Sequence, residues 1–204
     1  MRVKLLTVVM CFVAFAFTAC KENKESEVDP STPSKTSEVV AKNIVAIPDS
    51  LGGHYSFFSL NENKSISYKD SASDKWDVAF NKTIIIVNGG NSGPGLGGAL
   101  IHTGVFDDLA TAPADGYKSD NTSSKAIATG SGSGWYNYSG APNHVITPIP
   151  GKVLVIRTAE GKYAKVEIIS YYKDAPLVLA SQDPSSGWYT FRYVYQDNGS
   201  TSFK

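Results

Sequence analysis

Lys152-Val-Leu-Val-Ile-Arg-Thr-Ala-Glu-Gly-Lys-Tyr-Ala-Lys-Val-Glu-Ile-Ile-Ser-Tyr-Tyr172 is the stretch that decides the fold class. Its second half alternates: Ala164, Val166 and Ile168 point inward while Lys165 and Glu167 face water, the period of two that marks a strand. Its first half, Val153 to Ile156, is a continuous apolar run, as expected of a central strand covered on both faces. Thr158-Ala-Glu-Gly161 supplies the Gly-containing turn that joins the halves as a hairpin. Outward from it, Trp188 to Gln196 sets Tyr189, Phe191, Tyr193 and Tyr195 on one face, and Trp76-Asp-Val-Ala-Phe80 does the same with Trp76, Val78 and Phe80. Ile84 to Val87 is another short buried run, and Tyr55 to Leu60 and Trp135 to Tyr138 are aromatic strands. No helical period is sustained; Phe106 to Thr111 and Glu38 to Asn43 each have room for a turn or two. The expectation is a mostly-β domain of two packed sheets.

The start of the chain reads as an address. Arg2 and Lys4 precede the 13 largely apolar residues Leu5 to Phe17, the length of a signal-peptide hydrophobic region and short for a membrane span. Thr18-Ala-Cys20 resembles the cleavage box of bacterial lipoproteins, which makes residues 1–19 a signal peptide and Cys20 the lipidated residue of a membrane-anchored protein. Lys21 to Glu27 resembles the charged surface-export signals of some Gram-negative lipoproteins and reads equally as a solvated tether. From Cys20 to about Asn43 the sequence is rich in Lys, Glu, Ser, Thr and Pro, too polar to offset its ordering entropy, so residues 20–43 are expected to be a flexible tether and 44–204 the domain.

Charge and composition narrow the chemistry. With 19 basic against 19 acidic side chains there is no basic excess for phosphates, so no nucleic-acid partner is expected. Cleavage before Cys20 leaves one cysteine, three histidines and no methionine, which excludes an internal disulfide, a Cys-rich zinc site and thioether ligation. Gly93-Pro-Gly-Leu-Gly-Gly98 spells G-x-G-x-x-G, but the helix whose N-terminus would hold a pyrophosphate is replaced by the strand-like Ala99 to Val105, so a wide hairpin loop of permissive glycines is the better reading. No nucleophile elbow, zinc-protease helix or Ca²⁺ loop is present, and no acid–base pair stands out, so no enzyme is expected. His102 and His54 read as partly buried strand residues. His144 lies in the Gly/Pro/Asn loop Ser139-Gly-Ala-Pro-Asn-His-Val145 beside Tyr136 and Tyr138, and is the candidate ligand.

Taken in order, these segments resemble a known family. Trp76-Asp-Val-Ala-Phe80, Val87-Asn-Gly-Gly-Asn-Ser-Gly-Pro-Gly-Leu-Gly-Gly-Ala99, Ala112-Pro-Ala-Asp-Gly-Tyr117, Gly134-Trp-Tyr-Asn-Tyr-Ser139, Lys152 to Val166 and Tyr189-Thr-Phe-Arg-Tyr-Val-Tyr195 are similar to the HmuY family of surface haem-binding lipoproteins. The resemblance runs from about His54 to Gln196. It implies an all-β fold of two packed, mainly antiparallel sheets with long loops at one end, and haem held between finger-like loops. It also implies a haem or haemoprotein donor and transfer to an outer-membrane haem receptor, so an outer-membrane, surface location. The resemblance further implies that two axial histidines, or methionines in some relatives, hold the iron.

The ligands do not carry over. The position of the second histidine is Gly140, and Lys118 to Ser133, where the first should lie, has neither His nor Met. Three readings follow: haem held through His144 with Tyr136 or Tyr138 stacking or ligating; porphyrin held by apolar and aromatic contact alone; or a surface module that has lost haem ligation and binds another ligand or a protein partner. Asp49-Ser-Leu51 and Asp70-Ser-Ala72 also resemble a three-residue O-glycosylation signal of some anaerobic Gram-negative bacteria.

Overall fold

A computed structural model describes residues 36–204; the signal peptide, Cys20 and the tether as far as residue 35 lie outside them. Among the described residues eleven strands form three antiparallel sheets. The larger sheet has five strands in the order β1 (Glu38–Val45), β11 (Ser186–Gln196), β10 (Tyr163–Tyr172), β9 (Lys152–Arg157) and β6 (Gly98–Thr103). The smaller has four, β3 (Lys64–Ile66), β2 (Ser56–Ser59), β4 (Val78–Asn81) and β5 (Ile84–Val87), and β7 (Tyr136–Tyr138) pairs with β8 (Ile146–Pro148) as a separate ribbon.

The expected hairpin is present: Thr158 N–H donates to Lys162 O at 2.8 Å and Gly161 takes the left-handed φ of 82° that the turn requires. On β11, Tyr189, Phe191 and Tyr193 all face the smaller sheet. Phe191 meets Phe58 at 5.4 Å and Phe80 at 5.6 Å between ring centroids, and Tyr189 meets Phe80 at 4.5 Å. Burying each such ring contributes about 2–3 kcal/mol. The tyrosines also cross the gap with their hydroxyls, Tyr189 donating to Lys82 O at 3.0 Å and Tyr193 to Leu60 O at 2.9 Å.

Five expectations need correction. Glu38 to Asn43, read as the end of the tether or a helical turn, forms most of β1, paired to β11 through the backbone with a bulge at Asn43, whose φ is +56°. Lys165 does point away from the aromatic core, but that side is covered: residues 106–112 and Phe203 pack with Val153, Val155 and Val194 there. Lys165 is therefore buried, its ammonium donating to Phe106 O at 2.7 Å and Leu109 O at 3.0 Å. Trp76 precedes β4 and packs on the smaller sheet's outer side with Phe57, Ala79 and Ile86, not with Val78 and Phe80. The glycine-rich loop crosses from β5 in one sheet to β6 in the other, so it closes no hairpin. Its path is fixed by close approach: a Cβ on Gly97 would stand 2.3 Å from Asn88 O. Lastly, His54 is exposed rather than partly buried, and lies just outside β2.

Burial raises the pKa of Tyr189 and Tyr193 above tyrosine's ordinary value. A raised folded pKa means that stability is fully present below the unfolded value of about 10 and is lost as pH rises beyond it, by about 1.4 kcal/mol per pH unit for each such tyrosine. Tyr193→Phe is expected to lower stability by about 1 kcal/mol at neutral pH through the lost bond to Leu60. It should also flatten the alkaline decline by one tyrosine's share. Urea unfolding of both proteins between neutral and strongly alkaline pH checks this, and an unchanged alkaline slope in the variant contradicts it.

Candidate functional site

The ribbon of β7 and β8 stands at one end of the sandwich, anchored at its foot. Trp135, just before β7, is buried, and its indole N–H donates to Thr83 O at 3.0 Å. Thr83 Oγ1 donates to the Tyr136 hydroxyl at 3.3 Å, and Ile146 N–H donates to the Tyr172 hydroxyl at 2.9 Å. The aromatic residues of the foot are thus bound to the turn between β4 and β5 and to the end of β10.

The tip is closed by its own backbone. Ser139 N–H donates to Val145 O at 2.9 Å and His144 N–H to Gly140 O at 2.8 Å, with Gly140 at φ 70° and His144 at φ 53°. The Ser139 hydroxyl accepts from Val145 N–H at 2.9 Å. This tight closure brings His144 back over Tyr138, and the Tyr138 hydroxyl and His144 Nδ1 are hydrogen-bonded. Both residues are exposed. If the phenol donates, the imidazole proton sits on Nε2; if Nδ1–H donates to the phenol oxygen, Nε2 presents its lone pair to solvent. The second arrangement is that of a metal-ligating histidine steadied by an outer partner.

Of the three sequence candidates, the structure pairs Tyr138 with His144 and puts Tyr136 elsewhere. Tyr136 is buried, packed on Trp135 at 4.9 Å between ring centroids, with its hydroxyl taken by Thr83. His102 lies half-buried on β6, and His54 stacks on Tyr68 at 3.5 Å. Among the described residues no three His, Cys, Asp or Glu side chains converge as a metal-binding group. Ser50 is exposed with its hydroxyl donating to Ile47 O at 3.0 Å, and Ser71 is half-buried.

Two features escaped the sequence reading. The first is the segment between β10 and β11, which docks on the ribbon's tip: Gln182 N–H donates to Asn143 O at 2.7 Å and Ser181 Oγ to Pro142 O at 3.3 Å. From this segment Leu177 and Val178 project fully into solvent while Leu179 packs on the core. The run Pro176-Leu-Val-Leu-Ala180 between two assigned strands was the available signal. The second is a cleft of about 570 Å³ lined by Ile146 at the ribbon's foot together with Ile47, Lys82, Tyr171 and Pro184. Burial pushes the Tyr171 phenol up to about 12, so it is neutral and both donates and accepts hydrogen bonds. Lys82 has no ion-pair partner among the described residues.

Two stacked antiparallel sheets joined by long loops, with a separate two-stranded ribbon beside a cleft, describe the class of fold. The family model described as HmuY protein matches residues 53–193, and the chain belongs to the HmuY family, which is haem-binding and non-enzymatic. No curated protein matches the sequence. Among solved structures, the apo form of a HmuY analogue of Tannerella forsythia superposes with a TM-score of 0.56 at 14% identity, over 80% of this chain and 98% of that one. A Bacteroides vulgatus protein described as a candidate HmuY-like haem binder gives 0.47 at 20% identity, over 81% and 93%. A Bacteroides fragilis protein described as a candidate lipoprotein gives 0.46 at 18%, over 78% and 89%.

Proposed function

We propose that this protein is a non-catalytic haem-binding lipoprotein, anchored to the outer membrane through a lipid on Cys20 and facing the cell exterior. On this reading it takes haem from free haem or a haemoprotein and passes it to an outer-membrane receptor. The observation that carries the proposal is the Tyr138–His144 pair, in which one imidazole nitrogen is held and the other has no protein partner among the described residues. The surroundings suit a porphyrin. Ile146, Tyr171 and Pro184 give the cleft apolar and aromatic walls, Lys82 can meet a carboxylate, and Leu177 and Val178 offer apolar surface from the docked segment. Haem supplies its iron and planar apolar surface. The chain's own part is to hold His144 in the ligating tautomer, exclude water along the cleft and neutralise a propionate.

A different observation favours a second reading, that haem ligation is lost and the module binds something else. Gly140 carries no donor; a Cβ there would meet nothing within 4 Å, but its φ of +70° is a backbone conformation that disfavours a histidine, so the tip as folded is built for glycine. Lys118 to Ser133 likewise offers neither His nor Met.

Hemin titration of the intact protein separates the two. The expected result is a sharp, shifted Soret band that His144→Ala abolishes, and an affinity that Tyr138→Phe lowers by roughly tenfold through loss of the outer partner. A broad, unshifted band in all three proteins would sink the haem reading. The anchor has its own check. Cys20→Ser is expected to move the protein from the membrane fraction to the soluble one, because the acyl chains supply the membrane affinity at about 0.8 kcal/mol per buried methylene. Retention of the variant with outer membranes contradicts lipidation at Cys20.

A further inference from the structure

The outer face of the four-stranded sheet carries an apolar cluster of its own. Phe57, Trp76, Ala79 and Ile86 form it, with Tyr55, Ile66 and Ile84 against them, and every member belongs to this sheet or to residues flanking its strands. Among the described residues no second sheet packs on this face, and its cover comes from the flanking loops. Residues 67–76 on one side and the glycine-rich loop on the other leave a cleft of about 600 Å³, within the usual size range of small-ligand sites. None of its lining residues lies on the ribbon or on the segment between β10 and β11.

The aromatic wall is prepared in advance. Tyr68 is 52% exposed, yet its ring is set by His54 stacked on it at 3.5 Å and 16°. Phe57 lies 6.4 Å from Tyr68 and is braced by the edge of Trp76 at 4.9 Å. The opposite rim is equally fixed. The buried Asn88 amide donates to Ser73 O at 2.9 Å and Trp76 O at 2.7 Å, while its oxygen accepts from Gly95 N–H at 3.0 Å. Asn91 N–H donates to Asp120 O at 2.8 Å. On this rigid frame Asn91, Ser92 and Lys125 line the cleft, and none of their side chains has a protein partner among the described residues.

We propose that this cleft binds a saccharide bearing a carboxylate, of the uronic-acid type. The negative face of an aromatic ring attracts the polarised C–H face of a pyranose, and Tyr68, stacked on one side by His54, lines the cleft. An amide and a hydroxyl on the rim offer the donors and acceptors that ring hydroxyls require. Lys125 supplies the one cation, a partner for a carboxylate. Without residues 1–19 the chain carries 17 basic against 19 acidic side chains, so any preference for acid is a property of the cleft rather than of the whole surface. The cleft shares no residue with the haem site, so either assignment can fail without the other.

The test is calorimetric titration of the intact protein with two probes. One is a hyaluronan tetrasaccharide, alternating glucuronic acid with N-acetylglucosamine; the other is chitotetraose, its neutral counterpart. The acidic probe is expected to bind at least about tenfold more tightly than the neutral one. Tyr68→Ala should weaken both by about tenfold or more, and Lys125→Ala should bring the acidic probe down to the affinity of the neutral. Both positions lie at the surface, so unchanged thermal melting verifies folding, and hemin binding should be unaffected by either substitution. No heat from either probe at millimolar concentration, equal binding of the two probes, or binding that survives both substitutions overturns the proposal.

Discussion

The tyrosines of β11 hold the two sheets in register, and the placement of the ribbon follows from them. Tyr189 and Tyr193 bury their rings in the aromatic core and spend their hydroxyls on carbonyls of the opposite sheet, Lys82 at one end and Leu60 at the other. A buried carbonyl left without a donor is costly, so these two bonds fix where the smaller sheet sits as well as how closely it packs. The turn that Tyr189 grips is also the turn that receives the Trp135 indole and bonds Tyr136. The ribbon's foot is thereby tied, through Lys82 and Thr83, to the same strand that organises the core. His144 can stand exposed at the tip because its support is buried below it.

At the other end of the sandwich polar side chains do the corresponding work. Asp77 is buried and accepts from Leu60 N–H at 2.8 Å and from Ala159 N–H in the hairpin at 3.1 Å, linking the sheets. Burial raises its pKa, and these two amides pull it back. Asp120, also buried, accepts from Val87 N–H at 3.0 Å and Ala126 N–H at 2.7 Å, and Asn88 holds the glycine-rich loop. Each satisfied carboxylate replaces backbone pairing that the irregular loops lack. One end of the molecule thus carries a ribbon and its docked segment, and the outer face of the smaller sheet carries a rigid aromatic cleft.

What was legible in the sequence was what depends on local alternation. The hairpin through Thr158–Gly161, the inward face of β11 and the aromatic strand before His144 follow from period two and turn chemistry. Lys165 shows the limit: alternation gave its direction correctly, but its burial comes from residues 106–112 and Phe203, far away in sequence. Trp76 and β1 were misread for the same reason, since Trp76 is placed by Phe57 and Ile86 and β1 by the backbone of β11. The site divides likewise. His144 was visible as a loop histidine beside aromatics, and its contact with Tyr138 follows from a tip tight enough to fold back. The cleft at the ribbon's foot was not visible, because its lining is gathered from separate segments that only the sheet stacking brings together.

The central claim is that His144 on this ribbon is the protein's axial ligand to haem iron. Electron paramagnetic resonance of the ferric hemin complex tests it most directly. The account expects a high-spin spectrum, from a single histidine ligand, that collapses to that of free hemin in His144→Ala. A low-spin spectrum of two strong axial ligands, or any protein-bound spectrum that survives His144→Ala unchanged, would contradict it.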